Sequence, residues 1–317
     1  MASGQAWQRF RRAARRFVAG ALLIYGGLYG LSEWMVYRFA QTNRFYVIQS
    51  TPPAAHDWIL LGASHAAALG YQDMGARLDE VTGLRVMNLG VAGGGIHVSR
   101  LVYDYFLTKH RTRGVVYVAD AFTFHAAAWN EARLQDRSLF VRTPFDRALL
   151  VRLLREPSTW TAGLAYASGF PKINNHERWV PDVSEDEQTR FTRRYRPVAQ
   201  LDEQRLAYLY PRGIDLGARA RYLADLDALV REARGLGQQV LVLKPPLPGR
   251  IAAALPDEDG FTRALQAVLA PHQVPLHDFS GDHYDDALFY DTDHLNREGV
   301  QAFFERSLAP LLRSAAR

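Results

Sequence analysis

The sequence contains no cysteine. That absence excludes disulfides, zinc–cysteine sites, iron–sulfur clusters and a thiol nucleophile, and it leaves the redox compartment unmarked. No period of 20–50 residues recurs, so a solenoid or propeller is excluded. There is no H-E-x-x-H helix, and Gly93-Gly94-Gly95 meets Val98 where a dinucleotide fingerprint needs another glycine. Most of the chain also lacks an excess of one charge. The net charge is +5, and residues 1–16 hold Arg9, Arg11, Arg12, Arg15 and Arg16 with no acid. Removing those five from the 38 basic residues leaves 33, equal to the 33 acidic ones. A neutral body argues against nucleic acid as a partner. With 317 residues, 48% hydrophobic and 22% charged, the chain has material for one large folded domain or two small ones.

Behind the arginines, Phe17 to Ser32 is a run of 16 uncharged residues, followed by Glu33 and then Trp34, Met35, Val36 and Tyr37. A spanning helix needs about 20 mostly apolar residues. Residues 17–37 meet that length if Glu33 lies near the far headgroups, where Trp34 and Tyr37 suit an aromatic belt. The pattern predicts a cytoplasmic basic segment over 1–16, a transmembrane signal anchor over 17–37, a tether over 38–56 containing Pro52 and Pro53, and a domain over 57–317 on the extracytoplasmic, periplasmic side of the inner membrane. A cleaved signal peptide shares the charged start and apolar stretch, but it ends in small residues, whereas this stretch meets Trp34, Met35, Tyr37 and Arg38.

Beyond the tether, short apolar runs alternate with amphipathic stretches. Trp58–Leu61, Leu84–Leu89, Val115–Val118, Val240–Leu243 and Val274–Phe279 read as strands. Residues 97–110, 216–234, 261–269 and 297–313 read as helices, the second carrying Tyr222, Leu223, Leu226, Leu229, Val230 and Ala233 on one face. This alternation predicts an α/β fold, a three-layer α/β/α sandwich around a mostly parallel sheet. Residues 126–212, rich in Arg, Trp and Tyr, break the alternation and read as an insertion. In such sheets ligands bind at the carboxyl ends of the strands, so chemistry is sought just after each strand.

Three such segments stand out. In Gly62-Ala63-Ser64-His65, a serine on a tight strand-to-helix turn exposes its hydroxyl, or else simply caps the helix. In Asn88-Leu89-Gly90-Val91-Ala92-Gly93-Gly94-Gly95, glycines let backbone N–H groups approach a phosphate or a developing oxyanion. In Asp291-Thr292-Asp293-His294-Leu295-Asn296, a carboxylate close before a histidine can hold the imidazole in the tautomer that takes a proton from serine. The same segment also reads as a solvated loop with Asn296 capping the last helix. His277, Asp282, His283, Asp285, Asp286 and His294 have no regular ligand spacing, so no metal or other cofactor is expected.

Taken together, these segments resemble the SGNH (GDSL-like) hydrolase superfamily over residues 57–313 outside the insertion, which implies a flavodoxin-like sheet. The resemblance makes Ser64 the nucleophile, the Ser64 and Gly93 amides oxyanion donors, Asp291 the orienting acid and His294 the base, and it leaves Asp293 without a role. An α/β-hydrolase elbow would need G-x-S-x-G, and position 66 is Ala. The third block of the superfamily, Gly-x-Asn-Asp, aligns near Ala119-Asp120-Ala121-Phe122 and lacks the oxyanion asparagine. That loss, an N-terminal anchor and a GxSH turn are similar to features of envelope acyl-transfer relatives, such as the lipoteichoic acid D-alanylation transfer protein and the alginate O-acetylation proteins. They imply an O-acyltransferase or esterase acting on an acylated envelope glycan or glycolipid beside a polytopic membrane-bound O-acyltransferase. A non-catalytic accessory protein that organises such a complex is the alternative. Lys244 and Asp120 are candidate substrate contacts, and Trp129, Trp160 and Trp179 are candidates for stacking on sugars or for core packing.

Overall fold

The computed structural model describes residues 2–136, 138–282 and 284–316; His283 lies outside them. The chain opens with α1 (Ala2–Phe39) and α2 (Arg44–Ser50). There follow β1 (Ala55–Gly62), α3 (Ser64–Ala68), α4 (Met74–Thr82), β2 (Val86–Asn88), α5 (Ile96–Lys109) and β3 (Arg111–Val118). Short helices then run as α6 (Glu131–Gln135), α7 (Ser138–Val141), α8 (Arg147–Arg155), α9 (Trp160–Ser168), α10 (Phe170–Ile173) and α11 (Ala199–Leu209). The chain finishes through α12 (Leu216–Gly235), β4 (Gln239–Lys244), α13 (Gly249–Ala254), α14 (Glu258–Leu269), β5 (Leu276–Asp278), α15 (Arg297–Phe303) and α16 (Ala309–Ala315). Two compact units result, residues 1–46 with 137–182, and residues 47–136 with 183–317.

The larger unit holds the sheet. Its strands lie in the order β2-β1-β3-β4-β5, all parallel, with Trp58–Leu60 paired to Val86–Asn88 and Trp58–Gly62 paired to Gly114–Val118. This is the flavodoxin-like order, and its reversal point lies between β1 and β3. The strands are continuous aliphatic runs because both faces are covered: Ile59, Leu60 and Leu61, Val115 and Val116, and Val242 and Leu243 are all buried. Alternate residues divide between the faces. Leu60, Val116, Val118, Leu241 and Leu243 share one core with α3, α4, α15 and α16. The opposite residues meet α5 and α12, which bury Val98, Val102 and Phe106, and Tyr222, Leu226 and Val230. Each fully buried side chain of this size contributes roughly 1.5–3 kcal/mol.

Three boundaries differ from expectation. Residues 38–56 are not a free tether, because α1 runs to Phe39, α2 buries Phe45 and Ile48, and β1 starts at Ala55. The Asn43 side chain starts α2 by accepting from the Phe45 and Tyr46 amides. The stretch 126–212 is not one insertion, since only 137–182 groups with the N-terminal residues. Finally, the basic segment and the apolar stretch form one continuous helix.

Among the described residues no helix is long and apolar enough to cross a membrane. In the apolar part of α1, what lowers the hydropathy is Glu33 together with Gly20, Gly26, Gly27 and Gly30 and with Tyr25, Tyr29 and Trp34. In the smaller unit, Glu33 of α1 pairs with Lys172 and accepts from the Phe145 amide at 2.8 Å, and the Tyr25 hydroxyl donates to the Ser168 carbonyl at 2.7 Å.

Candidate active site

The carboxyl edge of the sheet is shaped first by Gly62. Its φ of +139° belongs to glycine, and a Cβ there would stand 2.7 Å from the Val118 carbonyl oxygen. The chain can therefore leave β1 sharply and enter α3 two residues later. Ser64 is the first residue of α3, and the residue in the capping position is Ala63. The capping explanation for Ser64 thus fails, and its Oγ lies 2.8 Å from His294 Nε2.

The glycine loop after β2 is strapped to the same turn. The Asn88 side chain donates to the Ala66 carbonyl at 2.7 Å and accepts from the Gly90 amide at 2.9 Å, while the Val91 amide donates to the Gly62 carbonyl at 3.0 Å. The Gly94 amide closes a turn onto the Val91 carbonyl, with Gly93 at φ +68°.

The segment before α15 supplies the rest. Asp291 folds back on its own turn, accepting from the His294 amide at 2.8 Å and the Asp293 amide at 3.1 Å. Its carboxylate also takes the His294 Nδ1–H at 2.9 Å. Ser64, His294 and Asp291 therefore form one line of hydrogen bonds. Burial disfavours charge on Asp291, but the His294 ring beside it overcomes this and holds the carboxyl below its ordinary range.

A second histidine–carboxylate pair stands beside the first. His65 Nδ1 lies 2.6 Å from Asp120 Oδ1, and its Nε2 lies 3.1 Å from the Asp293 carbonyl oxygen. Both partners are acceptors, so both ring nitrogens must donate, which only an imidazolium can do. Burial opposes that charge, yet the Asp120 carboxylate outweighs it and pushes the His65 pKa up to about 9. The His65 and His294 rings stack at 4.7 Å, and Tyr290 lies against His294 with its ring 5.5 Å away.

Asp293 is buried and locked. Arg205 of α11 grips its carboxylate through Nε at 3.0 Å and Nη2 at 3.0 Å, and the Thr292 hydroxyl donates at 2.9 Å. Burial opposes its ionisation, but His294, Arg205 and His65 hold it well below the carboxylate range. Asp293 thus has a structural role where the sequence pattern gave it none. The charges of His65 and Arg205 balance those of Asp120 and Asp293.

Among the described residues, His65, Asp293 and His294 are the one trio with ligand atoms close enough to share a metal ion. Those atoms are already committed: His65 is fully protonated, and Arg205 occupies Asp293. The more N-terminal acids seek other partners. Asp278 pairs with Lys244 at 2.7 Å, Asp285 caps the Ala287 amide, and Asp286 meets Arg250 at 3.1 Å.

Of the expected substrate contacts, Lys244 and Asp120 are engaged within the protein, and Trp129 takes the packed one of its two readings. The Lys244 ammonium is buried and satisfied internally by Asp278, Glu258 at 2.8 Å and Thr262 at 3.0 Å, so it does not await an anion. Asp120 is spent on His65. Trp129 packs on Phe122 and Tyr208, with its indole donating to the Leu209 carbonyl at 3.2 Å, and it backs the loop at Gly93. Trp160 and Trp179 are exposed, in the smaller unit. Sequence reasoning missed His65 and Arg205. The first has a signal in its adjacency to Ser64, and the second has none.

No family model matches the sequence, and no curated protein does. Among solved structures the chain is similar to a protein described as a "putative acylhydrolase" from Bacteroides fragilis NCTC 9343, at 10% identity, TM-score 0.42, covering 86% of this chain and 94% of that one. It is also similar to the lipase/acylhydrolase from Enterococcus faecalis, at 15% identity, TM-score 0.38, covering 82% and 95%. Likeness at this level adds no weight to the site; the geometry stands by itself.

Proposed function

We propose that the chain is a membrane-anchored, extracytoplasmic serine enzyme of the SGNH type that forms or cleaves an ester on an envelope glycan or glycolipid. The observation that carries this is the Ser64 Oγ–His294 Nε2 contact of 2.8 Å continuing into His294 Nδ1–Asp291 at 2.9 Å. Ser64 attacks an acyl carbonyl while His294 Nε2 takes its proton, and Asp291 holds the ring and stabilises the imidazolium. The Ser64 and Gly93 amides receive the oxyanion. The tetrahedral adduct collapses, His294 returns the proton to the leaving alcohol, and the acyl group stays on Ser64. A second hydroxyl, from water or a glycan, then gives its proton to His294 and attacks the acyl carbonyl; the Ser64 Oγ–acyl bond breaks, and His294 returns the proton to Ser64.

Asp120 stands where the superfamily keeps a side-chain oxyanion donor, and a carboxylate already accepting from His65 cannot donate. Losing one such donor costs about 10²–10³ in rate. That favours transfer to a positioned glycan hydroxyl, with a polytopic O-acyltransferase as the acyl supplier, over fast hydrolysis. It also favours the accessory-protein alternative, against which stands the close serine–histidine contact. The anchor reading is supported by the uncharged stretch Phe17–Ser32 behind five arginines, with Leu22, Leu23 and Ile24 exposed on α1.

Deleting the gene and complementing it tests both. The account expects an ester substituent to disappear from an envelope glycan and to return with the wild-type chain but not with Ser64→Ala. Higher acylation in the deletion strain would mean an esterase, and rescue by Ser64→Ala would mean an accessory protein.

A further inference from the structure

Within the smaller unit, the helices over 147–173 bury one side and leave a row of large apolar side chains on the other. Leu149, Leu153, Ala162 and Tyr166 point inward, while Leu154 and Val151 on α8, Trp160 and Leu164 on α9, and Phe170 on α10 are exposed, Leu164 by 65%. Arg147 and Arg155 flank this row on the exposed side of α8. We propose that this face lies in the outer-leaflet boundary of the membrane, with its apolar row among acyl chains and its arginines at anionic headgroups. The proposal rests on the anchor reading of α1.

Three observations select a lipid surface over a protein partner. The unit joins these helices to α1 between Tyr25, which donates to the Ser168 carbonyl, and Glu33, which is held by Lys172 and the Phe145 amide. Eight residues of helix are about 12 Å, so the junction runs from the middle of the apolar stretch to its outer end. The exposed row is thereby continuous in depth with the exposed Leu28 and Leu31 of α1. Second, Glu33 is the one acid within the expected span, and it is matched by the buried ammonium of Lys172 together with a backbone N–H. A carboxylate at the outer end of a span is tolerated when it is paired in this way. Third, apolar residues on one face with arginines at its edge form the pattern of an interfacial helix.

Because the chain has no cysteine, single-site spin labels report cleanly. Leu164→Cys and Phe170→Cys are labelled in the full chain in nanodiscs of phosphatidylethanolamine and phosphatidylglycerol. Leu22→Cys serves as the anchor reference and Leu236→Cys, exposed in the larger unit, as the aqueous reference. Collision with oxygen is compared with collision with a water-soluble nickel chelate. The expected result is an oxygen-to-nickel ratio at 164 and 170 several-fold above that at 236 and close to that at 22. Labels at 164 and 170 that match 236 while 22 remains oxygen-rich would overturn the surface and leave the anchor. Nickel access at 22 as well would overturn both.

Discussion

His65 and His294 lie face to face, 4.7 Å apart, and each has a carboxylate on Nδ1, yet the structure commits them to opposite tasks. The difference lies in what meets Nε2. His294 faces the Ser64 hydroxyl, which can donate, so the ring can be neutral and ready to accept a proton. His65 faces the Asp293 carbonyl oxygen, which can only accept, so its ring must stay protonated. One pair is built to move a proton and the other to keep one. The fixed pair also anchors the turn from which the mobile pair hangs, since the backbone carbonyl that accepts from His65 Nε2 is that of Asp293, between Asp291 and His294.

Removing the proton-moving pair should have the largest effect. Ser64→Ala and His294→Ala are each expected to lower kcat with a p-nitrophenyl ester by at least about 10³-fold, and the double variant should be little worse, because the residues act as a unit. Asp291→Asn should be damaging but milder. Additive losses would break the comparison by showing that the two residues act separately.

Breaking the fixed network should register as stability. Arg205→Leu strips the buried Asp293 carboxylate of its bidentate partner and leaves it the Thr292 hydroxyl and His65 at 3.6 Å, so a loss of stability is expected that stays below the about 3–5 kcal/mol of a buried charge left wholly unpaired. Urea unfolding should show that drop, and an unchanged midpoint would remove Asp293 from the structural role.

The smallest effect expected is one of pH. The folded pKa of His65, about 9, lies above the ordinary value of 6.5. Its contribution of about 3 kcal/mol is therefore complete below pH 6.5 and is lost as pH rises through 9. The depressed Asp291 and Asp293 act in the opposite direction, contributing above the ordinary carboxylate range and losing that contribution in acid. Unfolding curves from pH 6 to 10 should slope downward for the wild type and flatten for the His65→Gln, Asp120→Asn double variant. An equal slope in both would place the titration elsewhere.

The sheet was legible because β1, β3 and β4 are unbroken aliphatic runs, and α5 and α12 keep helical spacing. The Ser64, Asp291 and His294 line was legible because each follows a strand or precedes a helix within a short local pattern. The helix α2 was hidden in what reads as a linker, since its seven residues make only two turns, too few for the buried pair Phe45 and Ile48 to show a period. The network around Asp293 was hidden for a different reason. His65 meets Asp120 across 55 residues and Asp293 across 228, and Arg205 reaches Asp293 across 88, so no local spacing records these ion pairs. Asp120 was visible only as a missing asparagine, and its partner appears only in three dimensions.

The central claim is that His294 activates Ser64 for attack on an acyl group. A fluorophosphonate reacts with such a serine and stays attached, so intact-mass and peptide mass spectrometry of the full chain after exposure reads the claim directly. The account predicts one phosphonyl group per chain, located on Ser64, and at least about 10²-fold slower labelling in a folded His294→Ala variant. Labelling on another residue, or at an undiminished rate without His294, would contradict it.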